Sequence, residues 1–153
     1  MSESSRLRTV VLPDYEPLFS RNRVIRGALW TSAALNLIGT AVILPPALGI
    51  GDSLLPLSAP RFYLAQIGFT IALFALVFAW LATQARINRA LVAVGGFGKL
   101  GFFLLFVAYW LAGDLPTHAV LQASPDLALA TVLLWWAASE RPAPRPVIST
   151  IVV

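Results

Sequence analysis

Four apolar stretches separated by short polar segments dominate the chain. They are Gly27–Leu44, Phe62–Ala82, Leu91–Ala112 and Ala119–Ala138, of 18, 21, 22 and 20 residues. A helix of about 20 apolar residues crosses roughly 30 Å of hydrocarbon, so each stretch predicts a transmembrane helix. Together they take 81 of the 153 residues and leave no room for a separate soluble domain. The punctuation agrees. Pro45-Pro46 follows the first stretch, Pro60-Arg61 precedes the second, Gly113-Asp114 closes the third, and Ser139-Glu140-Arg141-Pro142 closes the fourth. The intervening connections are short, which makes consecutive helices antiparallel neighbours.

The predicted fold is therefore all-α, an antiparallel four-transmembrane-helix bundle over residues 27–138. A basic segment, 1–26, precedes it, and a Pro-rich tail, 139–153, follows. Ser20 is the expected N-cap of a short interfacial helix leading into the first span. No internal repeat is visible, so an inverted-repeat transporter within one chain is not supported. A cleaved signal peptide competes for the first span. However, 18 residues exceed the usual apolar region of about 7–15, and Pro-Ala-Leu-Gly at 46–49 is a poor cleavage site.

Composition sharpens the class. Apolar residues make up 58% of the chain, charged residues 12%, and mean hydropathy is +0.79, against about 45–50% apolar and about 25% charged in soluble domains. A water-soluble globule and a disordered chain are both excluded. The absence of cysteine removes disulfides, thiol nucleophiles and thiolate metal sites. The net charge of +4 is thinly spread, and no nucleic-acid partner is expected.

The positive charges also orient the bundle. With the N-terminus in the cytoplasm, the inner side carries Arg6, Arg8, Arg21, Arg23, Arg26, Arg86, Arg89, Arg141 and Arg145, and the outer side only Arg61. This bias predicts both termini inside, in the inner membrane of a bacterium. The Arg21, Arg23 and Arg26 cluster either attracts anionic headgroups or only enforces topology. All five tryptophans (30, 80, 110, 135 and 136) fall near span ends, where the interface favours them.

An ionisable residue inside a span costs at least a few kcal/mol and so marks a candidate site. Lys99, the only lysine, lies in the third span, and Asp126 in the fourth. The two differ in level by roughly 7–9 Å, within reach of a lysine stem, and are expected to approach each other in the bundle interior. Two bland readings stand beside a ligand site. One is a structural ion pair locking the hairpin. The other takes Ser124-Pro125 as the true start of the fourth helix, with Asp126 in its first turn.

Polar stripes accompany the pair: Ser32, Asn36 and Thr40 in the first span, Tyr63, Gln66 and Thr70 in the second, and Gln122 and Asp126 in the fourth. Asn36, Gln66, Thr70, Lys99 and Asp126 are thus the candidate ligand-binding set, with helix–helix glue as the plain alternative. Gly95, Gly96, Gly98 and Gly101 beside Lys99 suggest close helix approach. His118 is the only histidine, no catalytic or nucleotide motif occurs, and no catalytic residue, metal or cofactor is assigned.

Gly98-Lys99, the Tyr109-Trp110…Gly113 exit, Pro125-Asp126 and the Tyr63-Leu-Ala-Gln66 start are similar to features of small bacterial four-helix inner-membrane proteins, loosely of the DoxX-like type. The likeness spans about residues 25–138. It implies the four-helix architecture and no defined activity. The function expected is an accessory or binding membrane protein that holds a hydrophobic small molecule, lipid or partner helix, with the bilayer and a membrane partner or second copy as its company. The alternative is an oligomeric small-molecule or proton-coupled transporter. Small four-helix exporters resemble this chain in length but carry a carboxylate in helix 1, where this chain has Asn36. A lipid-directed enzyme with Lys99 and Asp126 as acid and base lacks a nucleophile.

Overall fold

The computed structural model describes residues 18–51 and 60–139. The rest of the basic N-terminal segment, and the Pro-rich tail after Ser139, lie outside the described residues. Four helices follow one another: α1 (Leu18–Ala47), α2 (Arg61–Thr83), α3 (Arg89–Leu111) and α4 (Thr117–Ser139). At about 1.5 Å per residue, the 23 residues of α2, α3 and α4 give each a length of about 34 Å. All four are long and apolar enough to cross a membrane.

Local chemistry sets the ends. α1 starts at Leu18, two residues ahead of Ser20, so Ser20 stands inside the first turn and not at the N-cap. α1 also runs past Leu44, through Pro45-Pro46, to Ala47. There the amides of Gly49 and Ile50 bond back to the carbonyls of Pro46 and Pro45 at 3.0 and 2.8 Å. α3 ends in the same way. Gly113 takes φ +85°, its amide reaches Trp110 O at 3.0 Å, and that of Asp114 reaches Tyr109 O at 2.9 Å. Glycine adopts this left-handed backbone at little cost, which is why both helices close there. α3 opens on Asn88, whose side chain accepts from the amides of Ala90 and Leu91 at 3.0 and 3.2 Å, satisfying donors with no intrahelical partner.

α4 is continuous through Pro125, which overturns the reading of Ser124-Pro125 as a helix start. Proline has no N–H to give the carbonyl four residues back, here Leu121. The Ser124 hydroxyl donates to that carbonyl at 2.7 Å, so the helix passes the proline with Leu121 O still hydrogen-bonded.

Two hairpins, α1–α2 and α3–α4, pack closely within themselves. α1 meets α4 over a shorter stretch, and α2 barely meets α3. The core lies at the end formed by the start of α1, the end of α2, the start of α3 and the end of α4, here called the base. It gathers Ile25, Leu29, Phe78, Leu81, Val92, Leu133 and Trp136. Arg26 ties the base together by donating from its guanidinium to the carbonyl of Ala82, one that the C-terminus of α2 leaves orphaned, and to those of the C-cap Gln84 and of Ala85 just beyond it. Arg26 therefore has a structural task beyond charge bias. Trp30, Trp80, Trp110 and Trp135 are exposed, but Trp136 is buried in the core at 4% exposure.

Small residues permit the close packing. A Cβ on Gly68 would stand 3.3 Å from the Leu44 backbone, on Gly95 2.5 Å from the Phe78 ring, and on Gly96 2.8 Å from Leu134. Gly98 and Gly101 have open space. The outward surface carries Phe62, Phe69, Leu76, Phe97, Leu105 and Leu111, all exposed. An apolar surface of this extent is incompatible with water and is covered by lipid.

Candidate functional site

Because core packing is concentrated at the base, the hairpins separate above it. A cleft of about 530 Å³ lies between them, lined by residues of all four helices. Its walls are mostly aliphatic and aromatic, from Leu35, Ile43, Ile71, Phe74, Phe78 and Phe102, and its polar lining comes from Asn36, Thr70, Lys99, Gln122 and Asp126.

Lys99 and Asp126 form an ion pair through Nζ and Oδ1, as their levels and the tight hairpin predict. The lysine is 6% exposed and the aspartate side chain 21%. Lys99 Nζ also donates to Asn36 Oδ1 at 3.4 Å, and Asn36 Nδ2 donates to the Ile71 carbonyl at 3.5 Å. One polar chain thus runs from the α2 backbone through Asn36 of α1 and Lys99 of α3 to Asp126 of α4. The Phe78 ring stands against the ammonium, with Nζ 5.5 Å from its centroid, within the range of a cation–π attraction. Phe78 is itself 1% exposed and packs over Gly95, one turn before Lys99. The absent side chain at Gly95 is what lets the ring reach that position.

A buried lysine without partners would cost far more than its span can repay. Here a carboxylate, an amide oxygen and a ring face share the charge. Asp126 reaches this level because α4 continues through Pro125. Among the described residues no three His, Asp or Glu side chains gather as metal ligands, and the ion pair is the charged centre of the cleft.

Of the five candidate residues, Asn36, Thr70, Lys99 and Asp126 line the cleft and Gln66 does not. Gln66 is exposed, contrary to the expectation that the second helix's stripe faces inward. Each step of four residues along a helix turns by about 40°. Phe74 therefore faces the cleft, Thr70 reaches its rim, and Gln66 has turned away. Tyr63 is exposed as well. In α1 the stripe divides. Ser32 is fully buried with an unpartnered hydroxyl, and Thr40 donates to the Asn36 carbonyl at 2.9 Å.

Sequence reasoning missed Phe78, an ordinary apolar residue whose role appears only once its ring is seen to reach from α2 to Gly95 and Lys99 of α3. It left Gln122 out of the candidate set although Gln122 precedes Asp126 by one turn, which was a usable signal. The site is therefore defined by its own geometry, and the chain matches no family model, no curated protein and no solved structure.

Proposed function

We propose that this chain is a small integral membrane protein that holds a hydrophobic small molecule or lipid in the cleft between its two hairpins. The observation that carries this reading is the cleft itself: about 530 Å³, within the roughly 300–1,000 Å³ of small-molecule sites, with apolar walls and one convergent polar centre. Such a centre orients a ligand whose remainder is greasy. A partner helix is the weaker occupant, because it would dock by one face only, whereas a concave apolar space around one polar centre is the form of a small-molecule site.

Two further features support the reading. Packing alone does not call for a lysine and an aspartate in hydrocarbon, because alanine and glycine pack helices well. The residues that carry the likeness to DoxX-like proteins also include Lys99 and Asp126, so the likeness falls on the cleft, and we propose a relation to that type. We further propose a bacterial inner membrane with both termini cytoplasmic, on the arginine distribution. Reporter fusions after Val153 and near Asp52 test the orientation, and a periplasmic signal from Val153 refutes it.

The binding reading is tested by purifying the wild type and the Lys99→Met/Asp126→Asn variant from cells. Small molecules and lipids that copurify are then compared by mass spectrometry. A species enriched with the wild type and depleted with the variant is the expected result. Identical profiles at equal thermal stability refute a binding role for the polar centre.

A further inference from the structure

The hydrogen-bonding capacity of the polar centre narrows the ligand class, and this inference rests on the binding function proposed above. Among the described residues, Lys99 and Asp126 are the only charged ones lining the cleft, and they neutralise each other. An anionic headgroup would either draw Lys99 from its carboxylate or set a second negative charge beside that carboxylate. A cationic one would do the converse to the ammonium. Either leaves one charge uncompensated in a low-dielectric space. An uncharged ligand disturbs neither.

What the pair leaves unused is specific. An ammonium has three donors. Two are directed at Asp126 Oδ1 and Asn36 Oδ1, which leaves one. A carboxylate has two accepting oxygens, and the ammonium takes Oδ1, which leaves Oδ2. By this count a donor and an acceptor remain on one ion pair whose two residues line an apolar cleft. A ketone or ester carbonyl can only accept. A hydroxyl accepts from the lysine and donates to the aspartate at once. The flanking Leu35, Ile43, Ile71, Phe74 and Phe102 suit a hydrocarbon chain. Exposure of Ile38 on α1 and Phe102 on α3, both lining residues, opens the cleft sideways so that a long chain can continue into the bilayer.

We infer that the cleft selects an uncharged, long-chain hydrophobic molecule with a hydroxyl headgroup, the chemistry of a lipid alcohol, and orients it with the hydroxyl bridging Lys99 Nζ and Asp126.

The test uses the full chain in phosphatidylcholine nanodiscs and four probes sharing one hydrocarbon chain: oleyl alcohol, oleate, oleylamine and 1-octadecene. The readout is the mole fraction in the bilayer that gives half of the maximal rise in unfolding temperature. Oleyl alcohol is expected to act at a mole fraction about tenfold lower than octadecene, about 1.4 kcal/mol, and below both charged probes. In the Lys99→Met/Asp126→Asn variant the advantage of the alcohol over octadecene should disappear. The ranking of headgroups is read on the wild type, so it holds even where the variant fails to fold. Oleate or oleylamine matching or outranking the alcohol overturns the inference. Octadecene equal to the alcohol overturns it too but leaves the cleft as a hydrophobic binding site. No stabilisation by any of the four overturns both.

Discussion

Removing Lys99 alone should damage the protein more than removing its partner as well. In Lys99→Met the apolar stem is kept and ends one atom short of Nζ, so packing against Phe78 is largely retained and the loss is mainly electrostatic. Asp126 is then left without its ammonium. Breaking a buried pair from one side costs about 3–5 kcal/mol. The 21% exposure of Asp126 places this case at the lower end, about 3 kcal/mol. In Asp126→Asn the ammonium keeps Asn36 at 3.4 Å, the Phe78 ring at 5.5 Å and an amide oxygen in place of the carboxylate, which puts the loss at about 2 kcal/mol. In the double variant a thioether faces a neutral amide and no charge is left buried. Its loss should be about 2 kcal/mol, a coupling of about 3 kcal/mol by the double-mutant cycle. Unfolding in mixed micelles, followed by fluorescence of the five tryptophans, measures all four proteins. A double-variant loss equal to the sum of the two single losses would refute the coupling and with it the account of the site as one polar chain.

Three further outcomes follow from the packing. Gly95→Ala places a Cβ 2.5 Å from the Phe78 ring and should destabilise by about 1–3 kcal/mol through overpacking. Gly98→Ala meets nothing within 4 Å and should be neutral or gain up to about 1 kcal/mol of helix propensity; equal thermal shifts for the two would show that the ring contact is not made. Arg26→Gln removes the guanidinium from the carbonyls of Ala82, Gln84 and Ala85 and should cost about 1–3 kcal/mol, with faster amide hydrogen exchange over 83–88; unchanged exchange there would mean that the arginine does not cap α2. Ser124→Ala leaves Leu121 O without its 2.7 Å donor and should cost about 1 kcal/mol, while Pro125→Ala in that background restores an amide and the lost stability; a failure to recover in thermal unfolding would reject the serine's role in carrying the helix past the proline.

The sequence by itself determined the number, approximate bounds and antiparallel order of the helices, because hydrocarbon thickness and backbone hydrogen bonding leave a long apolar run little other choice. It also determined that Lys99 and Asp126 lie within reach, since rise per residue and a six-residue turn fix their levels. Helix termini were less legible. Whether α4 starts at Thr117 or at Ser124 depends on one serine hydroxyl taking an orphaned carbonyl, which composition does not reveal. Rotation of a helix about its axis was decided only by tertiary structure. Gly68 against Leu44 and Gly95 against Phe78 fix how α2 turns, and that turn brings Phe74 and Phe78 to the cleft and carries Gln66 away from it. The opening between the hairpins was likewise invisible in the sequence. It arises because bulky core residues gather at the base while the middle of the bundle is held by a single polar chain, and the distribution of packing among helices is a property of their assembly, not of any one apolar run.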